Sequence, residues 1–293
     1  MKDDLIAPNH ETHSDAFQAE FSARVEPIMG RSLSDSQVLI IGNGSVGSMM
    51  STLLVRSGVR RLILIDDDHV SASNLSRSEY TSSDIGIPKV TALARHLQLI
   101  NPTTSIESTG EDLTRIPDEC LENMIRRSQL VIAVTDSPEA QGIVNCIAYP
   151  ITPCLFVGLY AGAEFGEIIF TLPNETACYE CILGELLRSR DLPLRGTPDY
   201  GRVGRMVGEP GLGPDIAHVS AVATKIALAL LARGAALPAM ENIIRPSHSV
   251  LLIANRPGWI FPNSFQTVWA KTSRNDSCCA CHPDLDAIDG GLQ

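Results

Sequence analysis

Short, wholly apolar runs alternate along the chain with stretches of helical spacing. The runs at 38–41, 62–65 and 130–134 each end in glycine-containing or acidic sequence. That is the pattern of strands buried on both faces. Between them, 46–57 and 88–100 predict helices, the second with Pro88 in its first turn, where no backbone donor is lost. Pro138 opens another helix, 154–158, 168–172 and 249–254 predict strands, and 217–232 predicts a long apolar helix. Residues 1–13 read as a loose, flexible leader. Phe17, Phe21, Val25 and Ile28 give 14–29 a helical stripe. Unalternating strands separated by helices predict an α/β fold, a doubly wound, mostly parallel Rossmann-like sheet covered on both faces. Residues 14–293 are expected to form one domain. The segment 186–213, rich in Arg, Pro and Gly and poor in periodicity, is expected to be a mobile loop over the active face.

Composition narrows the picture by exclusion. At 44% hydrophobic and 19% charged over 293 residues, the chain has the make-up of a globular protein. Charged residues break every apolar run before the ~18 residues of a membrane helix, so no membrane partner is expected. The net charge of −11 excludes a general phosphate-backbone binder, so no nucleic acid is expected either. Residues 1–20 are polar and acidic, unlike a signal or transit peptide. Eight cysteines without a secretion signal then predict reduced thiols and metal ligands in a cytoplasmic protein.

Four of those cysteines form two Cys-x-x-Cys pairs, Cys178/Cys181 and Cys278/Cys281. Two thiolates three positions apart grip one ion from a tight turn, and a second pair completes a tetrahedron. Four sulfur ligands predict a structural zinc ion with no open position, stapling the tail 275–293 to the middle of the chain.

Chemistry is expected at the strand ends. Gly42-Asn43-Gly44-Ser45-Val46-Gly47 follows a strand and opens a helix, the context a phosphate-binding glycine turn requires. Asp66 ends the next strand, about twenty residues on, where it can accept from ribose hydroxyls. Alone, this would describe a NAD-dependent oxidoreductase. The following segment adds Asp68, Ser73, Asn74 and Arg77, and then Gly86-Ile87-Pro88-Lys89. A triphosphate attacked at its α-phosphorus needs such mobile positive charge, which Arg77 and Lys89 would supply. Asp136, before the helix opened by Pro138, can hold magnesium. The bland alternatives are solvated surface charges for Arg77 and Lys89, and a helix cap for Asp136.

In these motifs the chain resembles the ThiF/MoeB/HesA superfamily, the bacterial relatives of ubiquitin-activating enzymes, from about Arg24 to Cys281. The resemblance implies antiparallel C-terminal strands and ATP as substrate. Gly42, Gly44, Ser45, Gly47, Asp68, Ser73 and Ser137 would belong to the nucleotide site. Asp66 would hold the ribose, Asn74, Arg77 and Lys89 the phosphates, and Asp136 the Mg2+. It also implies a homodimer in which an N-terminal arginine reaches the partner's triphosphate, with Arg24 the candidate and Arg31 the fallback. The implied reaction is adenylation of the Gly-Gly carboxyl terminus of a ubiquitin-like or sulfur-carrier protein, with a conjugating-enzyme-like protein as a further partner.

The chain departs from this pattern in one respect. Many relatives carry a nucleophilic cysteine where 182–232 has none. Cys146 and Cys154 fall in apolar patterns and are expected to be inert packing, Cys120 sits in an acidic stretch, and Cys279 adjoins two metal ligands. The reaction is therefore expected to stop at the acyl-adenylate rather than continue on Ser189 or Thr197, because an unactivated hydroxyl is a weak nucleophile. Two other readings stay open: adenylation of a peptide or small carboxylic acid, and a nucleotide-binding scaffold without activity.

Overall fold

A computed structural model describes residues 10–30, 33–160, 162–188, 210–235, 237–278 and 280–281. Its strands are β1 (Gln37–Ile41), β2 (Arg61–Ile65), β3 (Ser105–Thr109), β4 (Leu130–Ala133), β5 (Cys154–Leu159), β6 (Phe165–Thr171), β7 (Val250–Ala254) and β8 (Thr267–Ala270). They form one sheet in the order β3-β2-β1-β4-β5-β6-β7-β8. Pairings from β3 across to β5 are parallel, and those from β5 to β8 are antiparallel.

The helices are α1 (His10–Ser22), α2 (Glu26–Met29), α3 (Ser45–Arg56), α4 (Lys89–Ile100), α5 (Asp118–Arg126), α6 (Pro138–Ala148), α7 (Tyr179–Arg188) and α8 (Gly213–Leu231). Successive side chains of a strand point to opposite faces, so the apolar run of β1 feeds two cores. Val38 and Ile40 pack with residues of α3, α4 and α8. Leu39 and Ile41 pack with α5, α6 and α7. The chain leaves β1 for β2 and β3 on one side, then returns to β4 on the other. This reversal opens a crevice between the carboxyl ends of β1 and β4, where open α/β sheets bind ligands.

Several boundaries differ from expectation. Helix α1 starts at His10, inside the stretch read as a loose leader, and the expected single helix is two, broken at 23–25. Pro27 explains the break: it has no N–H to donate, and its ring would clash with the carbonyl four residues back. The sequence reading passed over β3, α5, α7 and β8. Strand β3 is a largely exposed edge strand, Ser-Ile-Glu-Ser-Thr, with no apolar run to announce it. The segment expected as a loop over 186–213 begins inside α7 and ends at α8; 189–209 lies outside the described residues. So do Arg31, Ser189, Thr197, Cys279 and 282–293. Helix α8 is long and apolar enough to cross a membrane by length and composition, but it packs along α3 against the sheet.

Candidate functional site

The glycine turn sits in the crevice. Gly42 has φ of 90°, a conformation that disfavours any Cβ, and a Cβ there would stand 2.9 Å from backbone atoms of Val134 and Thr135. Its N–H donates to the Ile65 carbonyl (2.9 Å), tying the turn to the end of β2. Gly44 caps α3 without any side-chain hydrogen bond, and a Cβ there would meet nothing within 4 Å. No side chain caps the first turn of α3, and the space beside Gly44 at its start is open, which is what an anion needs.

Asp66 stands beside this turn with most of its surface buried. Its Oδ2 accepts from the Asn43 N–H (2.5 Å) and its Oδ1 from the Asp68 N–H (3.0 Å). Burial raises its pKa above the usual carboxylate value, against the lowering pull of Lys89 and these two amides. Lys89, at the start of α4, is itself buried, and its Nζ lies 2.6 Å from Asp68 and 3.8 Å from Asp66. The lysine expected at the phosphates is thus held here by two carboxylates at the crevice wall. Tyr80, which the sequence reading missed, donates its hydroxyl to the Asn43 carbonyl (2.5 Å) and to that of Lys89 (3.4 Å). It pins the glycine turn to α4 from within the fold.

A short helical turn at Ala72–Asn74 carries the next group. Asn74 Oδ1 accepts from the Ser71 N–H (2.8 Å) and hydroxyl (3.1 Å), and Ser73 shares a 2.8 Å hydrogen bond with Ser71. This fixes the turn while leaving the Asn74 amide nitrogen unused by it. Arg77, half-buried, donates its backbone N–H to the Asn74 carbonyl (3.1 Å). The start of α8 packs on this segment, for a Cβ on Gly213 would lie 3.1 Å from the Ser76 carbonyl.

Across the crevice, Asp136 is exposed at the end of β4. The cap of α6 is Ser137, whose Oγ accepts from the Ala140 N–H (3.2 Å). The helix therefore does not use the Asp136 carboxylate as a cap, which removes the bland alternative for that residue. Arg24 is not brought into this group. It lies exposed on the turn between α1 and α2.

The paired cysteines meet behind α6. Cys178 and Cys278 sulfurs are 3.6 Å apart, Cys181 and Cys281 sulfurs 3.4 Å, and all four lie within 4.8 Å of one another. A tetrahedral ion with sulfur at about 2.3 Å needs sulfurs about 3.8 Å apart, so the donor set fits. Burial pushes the Cys178 thiol up and Cys181 up to about 12, so a cation is what would hold these two as thiolates. Arg274 anchors the tail by donating to the Thr176 carbonyl (2.9 Å), and the Asn275 N–H donates to Cys181 Sγ (3.3 Å).

Of the other cysteines, Cys154 is buried, and burial pushes its thiol up to about 12. Cys120 is exposed. Cys146, expected to be buried packing, is exposed as well. The buried side of α6 is Ala140, Val144, Asn145 and Ala148, and Cys146 falls on the other side of the helix.

Known proteins resemble this chain in sequence and in fold. Ubiquitin-like modifier-activating enzyme 5 of Drosophila mojavensis is 34% identical over 176 residues, covering 55% of this chain and 44% of that protein. The chain thus spans less than half the length of this relative. Sulfur carrier protein ThiS adenylyltransferase of Escherichia coli K12 is 32% identical over 180 residues, 61% of this chain and 69% of that protein. The crystal structure of E. coli MccB with ATP shares the fold at 18% identity and a TM-score of 0.65, covering 94% of this chain and 75% of that one. Residues 21–247 match the ThiF family, and the chain belongs to it.

Proposed function

We propose that this protein is an ATP-dependent adenylyltransferase that joins AMP to the Gly-Gly carboxyl terminus of a ubiquitin-like or sulfur-carrier protein, releasing pyrophosphate. One observation carries the reading: the uncapped start of α3 opens onto a crevice walled by Lys89 and the Arg77 segment on one side and by the unused carboxylate of Asp136 on the other. A dinucleotide enzyme has no need of that charged set. The E. coli relative is an adenylyltransferase of a sulfur carrier protein, which supports the same reading.

In this reaction a carboxylate oxygen attacks the α-phosphorus, and the bond from that phosphorus to the pyrophosphate oxygen breaks. The nucleophile is already an anion, so no general base is required, and catalysis rests on positioning and charge stabilisation. The amides of α3 take phosphate oxygens, and the remaining lone pairs of Asp66 take a ribose hydroxyl. Arriving phosphate draws the Lys89 ammonium from Asp68, and Arg77 joins it on the charge that builds as pyrophosphate departs. Asp136 would hold Mg2+, which would supply charge neutralisation to the phosphates. The paired cysteines would hold a structural zinc ion.

Arg24 is exposed, as an arginine serving the partner subunit of a homodimer must be. With no cysteine between 182 and 232, the product is the acyl-adenylate itself. We place the protein in the cytoplasm, where its thiols stay reduced.

The test is exchange of labelled pyrophosphate into ATP. We expect exchange only with a protein ending in Gly-Gly. Exchange driven by a short peptide or a small acid alone would replace the acceptor, and no exchange with any carboxylate would leave a nucleotide-binding scaffold.

A further inference from the structure

Tyr179, the first residue of α7, stands between Cys178 and Cys181 and touches α6 twice. Its backbone N–H donates to Asn145 Oδ1 (2.9 Å), and its hydroxyl donates to Gln141 Oε1. Gln141 and Asn145 are four residues apart, so both contacts fall on one face of α6. The tyrosine ring is fixed from the third side by stacking on Phe156 of β5, with centroids 4.3 Å apart.

Gln141 passes the contact on. Its Nε2 donates to the Thr135 carbonyl (2.9 Å), reaching back past the start of its own helix to the turn that precedes Asp136. An amide has a donor end and an acceptor end. With the oxygen accepting from the tyrosine hydroxyl, the nitrogen is aimed at Thr135, and a flipped amide would turn its oxygen on the Thr135 carbonyl and lose that bond. The 135–137 turn has its own internal tie, Ser137 N–H to Thr135 Oγ1 (3.2 Å), but that bond sets its shape and not its height above the sheet. The Val134 N–H ties the start of the turn to the Ile41 carbonyl (2.9 Å), and the Gln141 side chain holds its next residue, Thr135, from the α6 side.

We propose that Tyr179 and Gln141 are positioning residues that brace the 135–137 turn, and with it Asp136, against the end of α7 that carries the paired cysteines. Neither touches substrate. The brace makes the place of Asp136 in the crevice depend on how firmly the cysteine-bearing turn holds Tyr179. The inference rests on the adenylation reading, in which Asp136 takes Mg2+.

Two variants remove the brace while leaving the packing: Tyr179→Phe keeps the stacked ring, and Gln141→Leu keeps the volume. Amide hydrogen exchange over 134–141, measured without ligand, should speed up by about three- to tenfold in each, the range expected for one hydrogen bond. The magnesium concentration that half-saturates ATP binding, measured by calorimetry without any acyl partner, should rise by a similar factor. The double variant should be no worse than the worse single one, because the two bonds act in series. Unchanged exchange, an unchanged magnesium response, or additive losses would overturn the brace. A fall in zinc content alongside the loss would make Tyr179 a structural part of the cysteine site instead, and overturn it too. Failure of the wild-type protein to bind ATP would count against the adenylation reading alone, and the exchange measurement would then decide the brace.

Discussion

A Cβ placed on Gly47 would stand 2.0 Å from the carbonyl oxygen of Gly42. The first turn of α3 lies directly on the turn that leaves β1, with room for a hydrogen and nothing more. Gly44, between them, has open space around its Cα.

The two glycines should therefore fail differently. Gly47→Ala must push backbone from backbone, and overpacking of this kind costs typically about 1–3 kcal/mol or more. Its denaturation midpoint should drop clearly. Gly44→Ala should melt with the wild type but bind ATP more weakly, because its methyl group stands where phosphate must approach. Equal stability losses in the two variants would refute this division of roles.

The cysteine cluster should carry one zinc ion per chain, released slowly by chelator. Because thiolate ligation is linked to folding, Cys278→Ser should lower both zinc content and melting temperature, and free the tail from its anchor near Thr176. Cys120→Ser and Cys146→Ser should do neither. Native protein that contains no metal and four freely titrating thiols at these positions would end the zinc assignment.

What was legible in the sequence follows from how each element is stabilised. Strands β1, β2 and β4 are buried on both faces, so their apolar runs mark them without knowledge of neighbours. Strands β3 and β8 lie at the two edges of the sheet and gain stability from one partner each, which local composition does not record. The glycines, Asp66, Arg77, Lys89 and Asp136 were visible because their spacing from strand ends is local. Tyr80, Gln141 and Tyr179 were not. Tyr80 and Tyr179 meet their partners across 37 and 38 residues, and no periodicity signals such contacts. Cys146 was misread because an apolar helix does not say which of its faces meets the sheet.

Acid should weaken the fold partly through Glu79. His96, whose Nε2 lies 3.5 Å from a Glu79 carboxylate oxygen, is the largest influence holding that carboxyl below the usual value of 4.5. In the unfolded chain Glu79 takes up its proton near 4.5, before the folded protein does. Its stabilising contribution is thus present above that pH and lost as pH falls through the folded value. Melting temperatures followed from pH 7 to pH 3 should fall less steeply for Glu79→Gln than for wild type. Parallel curves would remove Glu79 from the acid response.

The charged wall of the crevice makes the sharpest kinetic demand. Arg77, Lys89 and Asp136 are assigned to charge that develops as pyrophosphate leaves, so replacing any one with Ala should slow exchange at saturating ATP. Removal of one such stabiliser typically costs on the order of 10²–10³ in rate. Asp66 is assigned to the ribose, which is held alike before and during reaction, so Asp66→Ala should raise KM for ATP with a smaller effect on kcat. Its other role, receiving the Asn43 and Asp68 amides, requires that melting temperature be checked alongside. Lys89→Ala has a further consequence, since it strips Asp66 and Asp68 of their shared cation. Lys89→Ala/Asp68→Asn should then be more stable than Lys89→Ala, yet as slow in exchange. Recovery of rate in that double variant would show that Lys89 serves the carboxylates and not the phosphates.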